Sequence, residues 1–288
     1  MLLDNPAFTQ STDRGPSNGL WSANGGAPAI DSLQNNPTLG WFHDDDFVDF
    51  GLPGTQTTEI NLNRYKVYNT GSGKVITDSM PTATGTATNG GIISMLCDTA
   101  GDQSVIGTHA CPFSLQSTGG KLWFEARIAT TSIATAMTHI FIGLGNNADV
   151  TFGAAIPLAD ADATGTAVAL LGFTRLEDGL GVLNTSYTDE AATYTHVQTS
   201  AGAIVANTWI KVGFTYDPTG GSGAIQFYVN GVKTTTALSA TTWNALTHLD
   251  ASGLGPVFAQ FADGSGTANY AYLDWWRCVQ VPADNTSV

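Results

Sequence analysis

The chain has 288 residues, 42% hydrophobic and only 12% charged, and its 24 Asp and Glu against 10 Lys and Arg give a net charge of −14. So acidic a field, with no Lys/Arg cluster to relieve it, argues against nucleic acid and anionic membrane as partners. The 33 glycines, 13 Phe, 8 Tyr and 7 Trp are the composition of an all-β protein whose solubility rests on Thr, Ser and Asn.

The first residues lack a basic stretch followed by an apolar one, so no secretory leader is expected and the chain is expected to be made in a host cytoplasm. No apolar run approaches the roughly eighteen residues of a helical membrane span. Residues 1–40 carry Pro6, Pro16, Pro28 and Pro37 among Gly, Asn and Ser, with aromatics only at Phe8 and Trp21. This composition predicts an extended N-terminal arm that gains its order against a neighbouring subunit.

The body is expected to span residues 41–288. It opens on Trp41, Phe42 and His43, followed by Asp44, Asp45, Asp46 and Asp49. Alternation resumes at 58–68, a turn follows at 69–73, a short strand at 74–77, an exposed loop at 82–91 and a strand at 91–97. Residues 121–129 read as a strand with Leu122, Phe124, Ala126 and Ile128 on one face and Trp123, Glu125 and Arg127 on the solvent side. Residues 138–145 form the next strand, expected to lie beside 121–129 in one sheet.

Further strands are predicted at 167–174, 180–183, 194–198, 210–216, 224–229, 257–261 and 270–281, with one helical turn in 241–249. Pro157 and Gly165 break the Leu/Ala pattern between 154 and 171. About a dozen alternating segments with almost no helix argue for two antiparallel sheets packed face to face. Long crossover helices are missing, which argues against doubly wound enzymes.

The closing third resembles the concanavalin-like, laminin G-type jelly roll. The residues carrying this are Trp209, Val212, Phe214, Tyr216 and Asp217, then Phe227, Tyr228, Val229, Asn230 and Gly231, then Tyr272, Leu273, Asp274, Trp275 and Trp276. The resemblance implies an all-β, two-sheet antiparallel sandwich over residues 41–282, with 47–50 paired against 270–278. In style the whole chain is also similar to tailed-phage capsid decoration (cement) proteins. That likeness implies a homotrimer on the capsid exterior of a virion, with the major capsid protein and its own copies as partners.

Candidate chemistry is sparse. Glucanases of this group need two carboxylates in a Glu-x-Asp-x-x-Glu run, and none occurs; Glu177 and Asp178 are adjacent and would face opposite ways in a strand. A lyase would need a base and a neutralising cation, for which Arg127 and His139 are the candidate pair. Asp44, Asp46 and Asp49 are the candidate ligands for a structural calcium, with backbone capping by the same side chains as the alternative. Asp160, Asp162 and Gly165 imitate an EF-hand opening, but Leu171 stands where a bidentate Glu is required.

Cys97, Cys111 and Cys278 are an odd set without a secretory leader, expected as free thiols, with a Cys97–Cys111 pair as the alternative. Trp21, Trp41, Trp243, Trp275 and Trp276 are the aromatic candidates for contact with a protein or a glycan. No catalytic residue and no cofactor beyond that calcium is expected. The leading expectation is therefore a non-enzymatic virion structural protein. A glycan-binding module on a virion surface or tail fiber, and a polysaccharide hydrolase or lyase, are the alternatives.

Overall fold

The computed structural model describes residues 15–47, 60–61, 64–71, 73–78, 91–116, 120–133, 139–146, 168–175, 181–191, 195–221, 224–246, 253–262 and 269–282. The strands are β1 (Trp41–Asp45), β2 (Ile60–Asn61), β3 (Tyr65–Thr70), β4 (Lys74–Asp78), β5 (Ile92–Cys97), β6 (Gln103–Thr108), β7 (Lys121–Thr130) and β8 (His139–Gly145). They continue as β9 (Val168–Arg175), β10 (Val182–Ala191), β11 (Thr195–Ala203), β12 (Ile210–Tyr216), β13 (Ile225–Val229), β14 (Val232–Leu238), β15 (Gly255–Phe261) and β16 (Asn269–Val281). Among the described residues three α-helices accompany them: α1 (Asn18–Trp21), α2 (Gly26–Asn35) and α3 (Ala240–Trp243).

Among the described residues the strands form two antiparallel sheets of eight. Sheet one runs β14-β13-β12-β7-β16-β5-β4, with β1 also on β16, and sheet two runs β11-β10-β9-β8-β15-β6-β3-β2. β16 organises sheet one: β7 follows it along one side, while β5 covers residues 269–273 and β1 covers 276–280 on the other. The opening strand thus pairs with the closing one through residues 41–45. Residues 48–50 lie outside the described residues.

The core lies between the sheets and follows the period-two pattern. Phe124, Phe214 and Phe227 of sheet one pack in sequence as tilted rings at 5.3 and 5.8 Å, and Phe173 of sheet two meets Phe227 edge-on at 5.6 Å. Each fully buried ring is worth about 1.5–3 kcal/mol in transfer alone. Trp243 on α3, within the helical turn expected there, is wholly buried and donates its indole N–H to the Leu115 carbonyl at 2.6 Å. Asn230 and Gly231, at φ 51° and 74°, close the β13–β14 hairpin, as an Asn-Gly pair does best.

Two expectations are corrected. β7 and β8 are consecutive but lie in different sheets: β7 pairs with β12 and β16, β8 with β9 and β15. Alternation tells which residues face inward and is silent about which strand lies alongside, so a crossover between layers leaves no local mark. The second correction concerns the arm. Its described part, 15–40, is not extended; it folds through α1, α2 and two short 3₁₀ turns onto the outer face of sheet one.

The reason lies in apolar spacing. Leu20, Trp21, Ala29 and Leu33 line one side of the arm and bury against Trp123, Tyr228, Val279 and Val281 of the sheet. The prolines do not oppose this. Pro28 falls in the first turn of α2 and Pro37 opens a 3₁₀ turn, positions where the missing N–H has no partner to lose. Gly213, in mid-strand, makes room: a Cβ there would lie 2.5 Å from Leu20 Cδ1.

Candidate binding cleft

The arm and the paired ends of the chain enclose the feature of interest on the outer face of sheet one. Trp275 and Arg277 alternate with the inward Trp276, so both project outward, and Asp44 stands directly opposite Arg277 in the β1–β16 register. Arg277 in turn faces Glu125 on β7, and Glu125 faces Gly213 on β12. One row of positions thus carries a carboxylate, a guanidinium, a second carboxylate and a glycine across four strands.

The arm is held to that row by charge-assisted hydrogen bonds. Glu125, 1% exposed, takes the Ser17 backbone N–H at 3.0 Å and the Trp21 indole N–H at 2.7 Å on the same oxygen. Lys211 donates its ammonium to the Gly15 carbonyl at 3.0 Å, and Trp123 donates to the Ala23 carbonyl at 2.8 Å. The Arg277 guanidinium lies 5.7 Å from the Trp21 ring centre and pairs with Asp44. Burial pushes the Glu125 carboxyl above its usual range, against the pull of its donors and of Lys211. Glu125 was expected on the solvent side; the arm is what removes it from water.

A cleft of about 530 Å³ remains open beside these contacts, lined by Gly15, Pro16, Asp44, Asp46, Trp275 and Arg277. It brings Trp275 beside Asp44 and Asp46, a meeting that sequence separation gave no reason to expect. Arg277 and the arm residues were missed, because nothing local marks an arginine at the end of a core strand as a partner for residues more than two hundred positions away.

The acidic turn divides its labour. Asp45 accepts the Phe47 N–H at 2.7 Å, takes the Tyr65 hydroxyl and lies 3.5 Å from Arg64, so it is an Asx-type anchor. Asp44 is engaged by Arg277, Asp46 is exposed at the cleft, and Asp49 lies outside the described residues. Among the described residues no three His, Cys, Asp or Glu are grouped to share a metal ion. His43 accepts the Trp276 indole N–H at 3.1 Å, and burial, aided by Arg64, holds its imidazole down to about 4.

Of the aromatic candidates, Trp41 is 54% exposed, whereas Trp21, Trp243, Trp275 and Trp276 are buried within the chain. Arg127 and His139 do not meet. Arg127 is buried on sheet one against Asp274 at 2.5 Å and over the Trp209 ring at 4.5 Å. His139 is on the outer side of sheet two, edge-on to Phe261 at 5.5 Å. The Glu177–Asp178 pair and the 160–165 segment lie outside the described residues. All three cysteines are free.

Sheet two carries an unforeseen polar row, Thr174 Oγ1 to Ser186 Oγ at 2.8 Å and Ser186 Oγ to His196 Nδ1 at 2.8 Å, across β9, β10 and β11. Ser186 is fully buried, so the row acts as a cross-strand ladder and its hydroxyl does not meet solvent.

No protein-family model matches this chain, and no curated protein sequence matches it. Solved structures do. A Shewanella oneidensis protein of unknown function is 14% identical with a TM-score of 0.52, covering 88% of this chain and 94% of its own. Peanut lectin is 13% identical with a TM-score of 0.52, covering 84% and 97%. An immunostimulatory antigen and pseudo β-1,3-glucanase of Mycobacterium tuberculosis is 12% identical with a TM-score of 0.50, covering 84% and 99%. At these identities the likeness is one of fold: the chain is an all-β concanavalin-like jelly-roll sandwich, an architecture shared by binders and enzymes.

Proposed function

We propose that this protein is a non-enzymatic structural subunit of a phage virion, a decoration protein that forms trimers on the capsid exterior and bridges capsomers. The observation that carries the reading is the exposure of Trp41 and Phe42, 54% and 37%, on opposite faces of β1, in a chain whose other described Trp and Phe side chains are buried or half-buried. A strand that leaves an aromatic side chain uncovered on each face offers anchors for a protein contact. The sparse charge of the chain, 12% of residues, supports the same reading, since few ions need be stripped of water when such a surface is covered.

Light scattering coupled to gel filtration tests it directly. The full chain is expected at three-chain mass, and Trp41→Ser with Phe42→Ser is expected at one-chain mass with its circular dichroism unchanged. The unsubstituted protein is also expected to co-sediment with purified phage capsids that lack decoration. A monomer that ignores such capsids overturns the proposal.

A further inference from the structure

We infer that the subunits join head to tail: the β1 flank of one copy, carrying Trp41 and Phe42, docks on the opposite flank of a second copy, where Val205 and Val232 stand at the edge strand β14. The inference rests on the three-chain assembly proposed above and names the surface that meets β1. Among the described residues the exposed large apolar side chains are Trp41, Phe42, Val205 and Val232, and they fall into two patches. Val232, 71% exposed, opens β14, and Val205, 55% exposed, follows β11. The two strands meet there: a Cβ on Gly202 of β11 would lie 2.9 Å from Cγ1 of Val229, the residue paired with Val232.

The two patches cannot cover one another within a chain. Along sheet one, β13, β12, β7 and β16 separate β14 from β1, so at about 4.8 Å per strand the two edges stand roughly 24 Å apart. Cyclic symmetry gives them a use. In a ring of three, every contact away from the axis joins unlike surfaces, so the β1 patch needs a different patch on its neighbour, on the far side of that subunit. The Val205 and Val232 patch meets this requirement. A twofold contact would instead set β1 against β1 and leave the second patch uncovered.

Backbone and charge agree with the apolar placement. Among the described residues β1 has β16 as its one paired strand and β14 has β13, so both patches lie on sheet edges, where main-chain groups add hydrogen bonds to a contact. Copies of a chain of net charge −14 repel one another unless the contact itself is complementary. Here it is: β1 leads into Asp44, Asp45 and Asp46 against two guanidinium groups, Arg277 and Arg64, while Lys233 is exposed next to Val232 with no ion pair among the described residues.

The test mixes two disabled full-length chains. Trp41→Ser with Phe42→Ser lacks the first patch and Val205→Asp with Val232→Asp lacks the second; all four positions are exposed, and circular dichroism checks that both variants fold. By light scattering each variant alone is expected at one-chain mass and their equimolar mixture at two-chain mass, because one patch of each kind survives and the ring cannot close. Lys233→Glu, a single surface change, is expected to raise the concentration at which the three-chain form dissociates at least tenfold. If the unsubstituted protein is trimeric but Val205→Asp with Val232→Asp stays trimeric, or the mixture yields single chains alone, or Lys233→Glu changes nothing, the head-to-tail contact is overturned while the assembly reading stands. An unsubstituted chain that is monomeric overturns both.

Discussion

Trp21 donates its indole N–H to Glu125 Oε2 at 2.7 Å across 104 positions of sequence, and the same oxygen takes the Ser17 amide. One buried carboxylate therefore ties the arm to sheet one, alongside the apolar contacts of Leu20, Trp21, Ala29 and Leu33. Each hydrogen bond to a charged group is worth about 1.5–3 kcal/mol, and a donor left buried without its acceptor costs a comparable amount. Glu125→Ala is expected to raise hydrogen exchange across residues 17–33 by more than tenfold while leaving β7 and β12 protected. Uniform loss of protection in both regions would show that the arm has no separate stability.

The same residue carries a pH signature. Burial raises the folded-state pKa of Glu125 above its usual 4.5, so the folded protein binds this proton more tightly than the unfolded chain. The associated stability is fully present below the unfolded value and is lost as pH rises through the folded one. Glu125→Gln keeps the shape and removes the titration. The melting temperature of Glu125→Gln relative to the unsubstituted protein is expected to climb as pH is raised from about 4.5 towards 8; a constant difference would refute the shift.

His43 works in the opposite sense. Its imidazole accepts the Trp276 N–H and is held down to about 4, first by burial and then by Arg64, from an ordinary 6.5. Neutral His43 is the form that fits, so its contribution is present above pH 6.5 and is lost as pH falls through about 4. The shift corresponds to about 3 kcal/mol. Ring-proton NMR is expected to show a His43 midpoint below 5; a midpoint near 6.5 would mean that the ring is solvated.

Packing on the arm makes a further prediction at Gly213. A Cβ there would lie 2.3 Å from the Phe124 carbonyl oxygen and 2.5 Å from Leu20 Cδ1, so either β7 or α1 must move. Gly213→Ala is expected to cost about 1–3 kcal/mol of stability, as overpacking does. Denaturant unfolding followed by tryptophan fluorescence measures it. A neutral substitution would show that α1 does not press on the strand.

Much of the sandwich was legible because burial on a pleated strand has period two. Phe124, Ala126 and Ile128 point inward as their spacing requires, and so do Val212 and Phe214. What spacing cannot show is which strand lies beside which, hence the misplacement of β8 beside β7. Nor can it show what covers an outer face. Trp123, Glu125 and Arg127 are a normal solvent-facing set until the arm and Asp274 are known to lie on them.

The arm itself was misread because proline and glycine were counted as breakers without regard to position. The cleft was half legible. Asp44, Asp46 and Trp275 were each marked by residue type, but their meeting depends on β1 pairing with the far end of β16 in a register set by core packing. Arg277 had no signal at all. Its role exists only once Asp44 is opposite it and Trp21 is folded back beside it.

The thiols offer a test of the core between β5 and its neighbours. Cys97 is buried with its Sγ 3.6 Å from Ser104 Oγ and 3.7 Å from the Gln260 carbonyl, and burial pushes its pKa up to about 12. Cys278 is wholly buried among the core side chains and its thiol is likewise pushed well up by burial. Cys111 is half-buried. Thiolate is the reactive form, so neither Cys97 nor Cys278 can attack a disulfide reagent at pH 8 without unfolding. Native protein treated with an aromatic disulfide reagent is therefore expected to release colour for Cys111 alone, and all three of its thiols are expected to react once guanidinium is added. Rapid reaction of Cys97 or Cys278 in the native state would place it outside the packed sandwich. A single reactive thiol after denaturation would instead reveal a Cys97–Cys111 bridge, contrary to the free thiols of this structure.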